Sequence, residues 1–318
     1  MGEFELIERY FKRPVTRNAL GIGDDCALLS PAPGMQLAVS CDMLVEGNHF
    51  LSTVDPCKLG HKALAVNLSD LAACGARPLA FTLALAMPVA DEAWLAPFSR
   101  GLFALADEHR CELVGGDTTR GPLNICITVF GEVPQGQALL RSGARAGEDI
   151  YVSGTLGDAR LALEVFRGTL SVPAEVFEAA RSRMEQPTPR VALGQALLGI
   201  ASSAIDVSDG LLGDLGHILQ QSQVGARVDT DIAAGLMGAP AGSLAADLRL
   251  EYVLAGGDDY ELLFTAPPAR RDAVKAAALA AGTPVTRIGQ IEAEPGLRLM
   301  SGAGRLIDRR FASFDHFA

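Results

Sequence analysis

One kind of turn recurs along this chain: an aspartate, or two, held among glycines and other small residues where an apolar run ends. It occurs as GIGDD at 21–25, SCD ending at Asp42, NLSD ending at Asp70, GGD ending at Asp117, DVSDG at 206–210 and GGDD at 256–259. Glycine-rich turns ordinarily cradle anions with backbone N–H groups. These carry negative charge themselves. Aspartate is the short carboxylate, and small neighbours let backbone and ligand come close to it. Oxygen-rich clusters of this kind suit Mg²⁺, which takes a few carboxylates and leaves its other positions to substrate phosphates. Taken singly, each is a turn or a helix N-cap on ordinary turn chemistry. Asp209 alone would simply cap the helix GLLGDLGHIL. Six such turns in one acidic chain favour the metal reading.

Charge and motif content narrow the class. The formal net charge is −11, which argues against a nucleic-acid surface. Only four lysines occur, Lys12, Lys58, Lys62 and Lys275, and no G-x-x-x-x-G-K-[ST] is present. Phosphates, if handled here, are neutralised by something other than a P-loop. The six cysteines, Cys26, Cys41, Cys57, Cys74, Cys111 and Cys126, form no C-x-x-C pair, so reduced thiols and a cytoplasmic setting are expected. The opening MGEFELIERYFKR lacks the apolar region of a secretory signal. No run of 18 apolar residues is free of charges or breakers, so no membrane partner is expected.

With 318 residues, 49% of them hydrophobic, the chain can bury one large core or two ordinary ones. Residues 35–47 read as a strand ending in polar residues. Residues 55–76 read as a helix, with Leu59, Ala63 and Val66 at helical spacing. The stretch PLAFTLALAMP reads as an apolar strand, residues 91–110 as a helix with acids in its first turn, and 111–121 and 123–134 as strands. A polar, glycine-containing stretch at 137–148 marks a boundary. Beyond it come strand–turn–helix at 149–166, a helix at 189–201, strand–acidic turn–helix at 202–222, a turn and strand at 253–267 and a helix closed by Gly282. Mixed strands and helices in both halves make the chain α/β or α+β.

The blocks GIGDDCA, CDMLVEGNHF, KALAVNLSDLAACGARP, LVGGDTTRG, DVSDGL, GGDDYELLF and FDHF follow one another from Gly21 to Phe317. In that order they resemble the thiamine-monophosphate kinase family, within the aminoimidazole ribonucleotide synthetase-like superfamily. The wider group includes selenophosphate synthetases and a hydrogenase-maturation protein. The resemblance implies a two-domain α/β (α+β) fold. Residues 1–137 would form an N-terminal ATP- and Mg²⁺-binding domain whose sheet makes a homodimer interface. Residues 138–318 would form a C-terminal α/β domain completing the active-site cleft. The implied reaction takes ATP and thiamine monophosphate to ADP and thiamine diphosphate, with several Mg²⁺ ions. By the same resemblance Asp25, Ser40, Cys41, Asp42, Asp70, Asp117, Asp206 and Asp209 would hold metal. Gly116, Asp117, Arg141 and Ser208 would bind ATP, and His49, Asp258 and Phe314 would touch the thiamine phosphate. Asp24 would be a supporting neighbour. No catalytic side chain is implied, since an ionised phosphate needs no general base.

Three positions depart from the family pattern. Cys41 stands where threonine is usual, and a neutral thiol is a poor Mg²⁺ ligand, although its backbone carbonyl could serve. Asp258 replaces a glutamate, and Phe314 a common tyrosine, keeping an aromatic face for a cationic thiazolium ring. Two other classes stay open: a superfamily relative acting on a different acceptor, and a non-catalytic Mg-nucleotide module. The second would lack several acidic ligands, and here they are all present.

Overall fold

The computed structural model describes residues 2–17, 20–23, 25–309 and 311, and the chain divides into two compact units. The first comprises Met1–Leu71 with Ala76–Gly136, the second Ala72–Gly75 with Gln137–Ala318.

In the first unit the elements run α1 (Glu3–Tyr10), β1 (Met35–Val45), α2 (Pro56–Ala73), β2 (Arg77–Met87), α3 (Glu92–His109), β3 (Glu112–Arg120) and β4 (Asn124–Pro134). The four strands form one sheet in the order β1-β4-β2-β3, with only β2 and β3 parallel. Period-two alternation decides the faces. Ile125, Ile127 and Val129 of β4 are fully buried, as are Phe81 and Leu85 of β2. Side chains of α2 meet the same face, because Leu71 would lie 3.0 Å from a Cβ at Gly131. Asp91 caps α3, its carboxylate accepting the Ala93 N–H at 2.9 Å.

The other face of this sheet is covered at one end, where Val15, Ala27 and Leu29 pack with Leu79, Ala80 and Val114, and is open and apolar along β1. Leu37, Val39 and Met43 of β1 are 44%, 57% and 51% exposed. In the apolar strand PLAFTLALAMP the large side chains point inward, and Ala84 is an exposed position. The apolar exposure comes from β1 instead. Alternation explains this: a central strand puts its large residues on one face and its alanines on the other.

The second unit is built from β5 (Asp149–Ser153), α4 (Asp158–Phe166), α5 (Ala174–Glu185), α6 (Val191–Ala196), β6 (Ser203–Val207), α7 (Leu211–Ser222), β7 (Gly225–Asp229), α8 (Thr230–Ala234), α9 (Ala246–Ala255), β8 (Glu261–Ala266), α10 (Arg271–Ala280), β9 (Val285–Glu292) and β10 (Gly296–Met300). Its mixed sheet has the order β10-β7-β9-β5-β8-β6. Its core joins Ile150, Val152, Ile205, Val207 and Leu263 of the strands to Leu211, Leu215 and Ile218 of α7. Two sequence expectations change here. The helix read at 189–201 is only Val191–Ala196, its continuation limited by a turn around Gly199. Val253–Ala255, read as the start of a turn, are the last turn of α9.

Candidate functional site

The acidic turns of the first unit sit where β1 and α2 meet. Ser40 and Asp42 alternate onto the face that α2 crosses. From α2, Asp70 accepts a hydrogen bond from Ser40 Oγ at 2.5 Å, and Asn67 Oδ1 accepts the Asp42 N–H at 3.0 Å. Asn67 is itself held, its amide donating to the Ala63 carbonyl at 3.0 Å. The i, i+3 spacing of Asn67 and Asp70 puts both on one side of the helix. Strand and helix thus hold Asp70 by its carboxylate and Asp42 by its main chain.

Cys41 behaves differently from the expectation for its position. Alternation turns its side chain to the open face, where Sγ lies 3.5 Å from Cys126 Sγ. Burial, and after it the neighbouring Cys41, push the Cys126 thiol up to about 11. The Cys41 side chain therefore points away from Ser40 and Asp42, and only its main chain remains beside them.

His49 closes the turn after β1. Its Nδ1 accepts the Val45 N–H at 3.0 Å, which assigns the neutral imidazole proton to Nε2. Asp25 is exposed on a loop drawn together by the antiparallel bridge Leu20–Leu28. Gly116 has φ +149°, and a Cβ there would lie 1.9 Å from the Leu83 carbonyl oxygen, so β3 reaches Asp117 only with glycine before it. In the ladder Gly116 shares the row of Leu83, Ile127 and Asp42. Three inter-strand steps separate Asp42 from Gly116, about 14 Å. Just beyond Asp117, Thr118, Thr119 and Arg120 line a cavity of about 510 Å³ with Leu6, Met87 and Val89.

In the second unit the two acidic turns interlock. Strands β6 and β8 are paired, with Val207 opposite Glu261. Ahead of that pair the Asp258 N–H donates to the Ser208 carbonyl at 2.7 Å, and the Tyr260 N–H to the Val207 carbonyl at 2.9 Å. Asp258 and Tyr260 adopt φ +62° and +53°, left-handed values unusual for non-glycine residues. Gly257, at φ +71°, lies where a Cβ would come 2.7 Å from the Ser208 oxygen. Glu261 anchors the start of β8. It is fully buried and accepts from Arg190 Nε at 2.6 Å, Arg183 Nη2 at 2.7 Å and Ser153 Oγ at 2.6 Å. The backbone strain at Asp258 is thus held between a sheet pair and a buried ion network.

Two buried carboxyls that sequence reasoning passed over support these turns. Asp259 accepts the Gly157 N–H at 3.0 Å, and burial pushes its carboxyl well above the ordinary range. Asp214 of α7 is 2% exposed, and burial, then the Asp209 charge, push it up to about 7. The available signal was an acid four residues after Gly210, a place from which a side chain can fold back on a helix start. Asp206 is buried on β6. Arg141 is exposed, and Ser222 Oγ ties its loop by donating to the Arg141 carbonyl at 3.2 Å and accepting the Gly143 and Ala144 N–H groups at 3.1 Å. Phe314 and Asp24 lie outside the described residues.

Among the described residues no three His, Cys, Asp or Glu side chains draw together closely enough to hold a metal ion. The donors present are nonetheless carboxylate and hydroxyl oxygens on rigid elements, the hard set that fits Mg²⁺.

Comparison with known proteins adds to this geometry. Residues 23–133 match the family model of the AIR synthase related protein N-terminal domain, and residues 145–302 that of its C-terminal domain. A thiamine-monophosphate kinase of Salmonella typhimurium is 49% identical over 323 residues, covering 100% of this chain and 98% of that protein. The crystal structure of thiamine-monophosphate kinase from Stenotrophomonas maltophilia K279a matches with TM-score 0.84 and 47% identity, over 93% of this chain and 94% of that one. A structure of AaThiL complexed with AMPPCP and TMP matches with TM-score 0.76 and 27% identity, over 99% and 96% of the two chains.

Proposed function

The chain belongs to the thiamine-monophosphate kinase family of AIR synthase related proteins, and on that premise we propose that it transfers the γ-phosphoryl group of ATP to thiamine monophosphate, giving thiamine diphosphate and ADP. Support comes from near full-length relatives of that name and from AaThiL, complexed with AMPPCP and TMP. The observation that carries it in this chain is the Ser40–Asp70 and Asp42–Asn67 clamp. It ties β1 to α2 at this point, so that Asp42 on the strand and Asp70 on the helix are brought to one place with hard oxygen donors suited to a divalent cation.

The acceptor phosphate is ionised at neutral pH and attacks in line without a general base. The obstacle is the approach of two polyanions. Bound Mg²⁺ would neutralise phosphate charge and stabilise the charge moving in the transition state. Asp25, Ser40, Asp42, Asp70, Asp117, Asp206 and Asp209 would hold it, with Cys41 contributing only its main-chain carbonyl. Oxygens sharing one Mg²⁺ lie no more than about 4 Å apart. The Asp42 and Asp117 positions, on opposite edges of the sheet, would therefore serve different ions. Gly116 lets the β3 backbone come close to the nucleotide, and Arg141 and Ser208 would meet its phosphates. His49, held through Nδ1 by the Val45 N–H, would touch the substrate phosphate. Asp258 would orient the substrate from its strained turn, with Phe314 as its aromatic neighbour. The free cysteines fit a reducing cytoplasmic setting.

A coupled ADP-release assay tests the assignment. With ATP and Mg²⁺, thiamine monophosphate should be turned over and free thiamine should not, because its neutral hydroxyl would need a base. Equal turnover of thiamine, or turnover only of an aminoimidazole precursor or selenide in parallel arms, overturns it.

A further inference from the structure

A helix start leaves backbone N–H groups without intrahelical acceptors, and the residue before the helix usually supplies the missing oxygen. In α7 the N-cap is Gly210, which has no side chain to give. The turn that leads into the helix is held by a carboxylate from the helix itself, that of Asp214. Its Oδ2 reaches back from the first turn of α7 and accepts the N–H groups of Ser208 at 3.1 Å, Asp209 at 3.2 Å and Gly210 at 3.2 Å. Asp214 is 2% exposed, so it is committed to this role. The opposite side of the turn is also held, because the Ser208 carbonyl accepts the Asp258 N–H at 2.7 Å.

The consequence falls on Asp209. Its carboxylate is half-buried and accepts no hydrogen bond from the described residues. It also stands beside a second carboxyl, an arrangement that raises the free energy of the charged form.

We infer that Asp214 is a positioning residue, whose carboxylate fixes the backbone of the 208–210 turn so that the Asp209 carboxylate is presented for a divalent cation. This rests on the reading of Asp209 as a metal ligand. Outer groups that orient a ligand typically contribute about 10–100-fold in metal affinity.

The test is titration of full-length protein with Mn²⁺, read from the electron paramagnetic resonance signal of the free ion, with no nucleotide present. Asp209→Asn should weaken Mn²⁺ binding. Asp214→Ala should weaken it by about tenfold or more, although Asp214 touches no metal. The double variant should bind no worse than Asp209→Asn, because both changes remove the same ligand. Asp214→Asn keeps an acceptor oxygen in place and should stay within roughly threefold of wild type, well inside that loss. Where Asp214→Ala does not fold, Asp214→Ser replaces it with the same expected loss. Weakened binding in Asp209→Asn with none in Asp214→Ala overturns the inference alone. Folded Asp214→Asn as weak as Asp209→Asn also overturns it, since that would make Asp214 a ligand by charge. Unchanged binding in Asp209→Asn overturns the ligand assignment and the inference with it.

Discussion

Asp70 lies three residues before the end of α2, in the helix body, and takes the Ser40 hydroxyl at 2.5 Å. A residue serving only to cap or solvate that helix would have no need of a partner on β1. Asp70→Asn keeps the shape and an acceptor oxygen for Ser40 but removes one negative charge. Folding should be unaffected, and the melting temperature of the metal-free protein should stay at the wild-type value. Turnover should fall by about two orders of magnitude or more, the size of losing a strong transition-state contact. Steady-state kinetics across a Mg²⁺ series, with a thermal melt of the same preparation, check both halves. Wild-type turnover at saturating Mg²⁺ would remove Asp70 from the site.

Helix α7 and the turn before it act as one element, and their pH response follows from Asp214. Burial first, and the Asp209 charge second, hold its carboxyl near 7 against the opposing pull of three N–H groups. An unfolded aspartate titrates at about 3.9. Between those values the folded chain binds the proton and the unfolded chain does not. Stability therefore falls as pH rises across that window and levels off above it. Asp214→Asn carries no such proton. In EDTA, the melting temperature of Asp214→Asn relative to wild type should climb from pH 5 to pH 7.5. A constant difference would show that the carboxyl titrates alike in both states.

At the scale of the whole molecule, the open sheet face asks for a partner. Leu37, Val39 and Met43 line β1, Cys126 and Thr128 on β4 continue the face half-buried, and beyond them Phe130 packs in the covered cluster of Leu79, Ala80 and Val114. A contiguous apolar face of this kind marks an interaction surface, and a second copy of the chain is the partner proposed. Light scattering at micromolar protein should give twice the chain mass, and Val39→Glu should shift it to one. A wild-type mass of a single chain would contradict the homodimer.

Chemistry was legible in the sequence because it lies in local words. The aspartates and their small neighbours sit within four or five residues of one another; helical patterning located α2 and α3, and apolar runs bounded by turn or polar residues located β1–β4 in the first unit. Less of the second unit was legible. β7 and β10 are five residues long and mix charge with apolar positions, too short for a period to register, and α9 was hidden by the turn that follows it. The tertiary structure alone decided which face each residue meets. Alternation along β1 sends Ser40 and Asp42 toward α2 and the Cys41 side chain away, although the three are adjacent in the chain. Packing joined Ser208 to Asp258 across 50 residues, through the pairing of β6 with β8. It also folded the Asp214 carboxylate back onto the N–H groups of Ser208, Asp209 and Gly210. Composition and spacing name the groups able to bind a cation; only the surrounding N–H donors determine which carboxylates are already used by the fold.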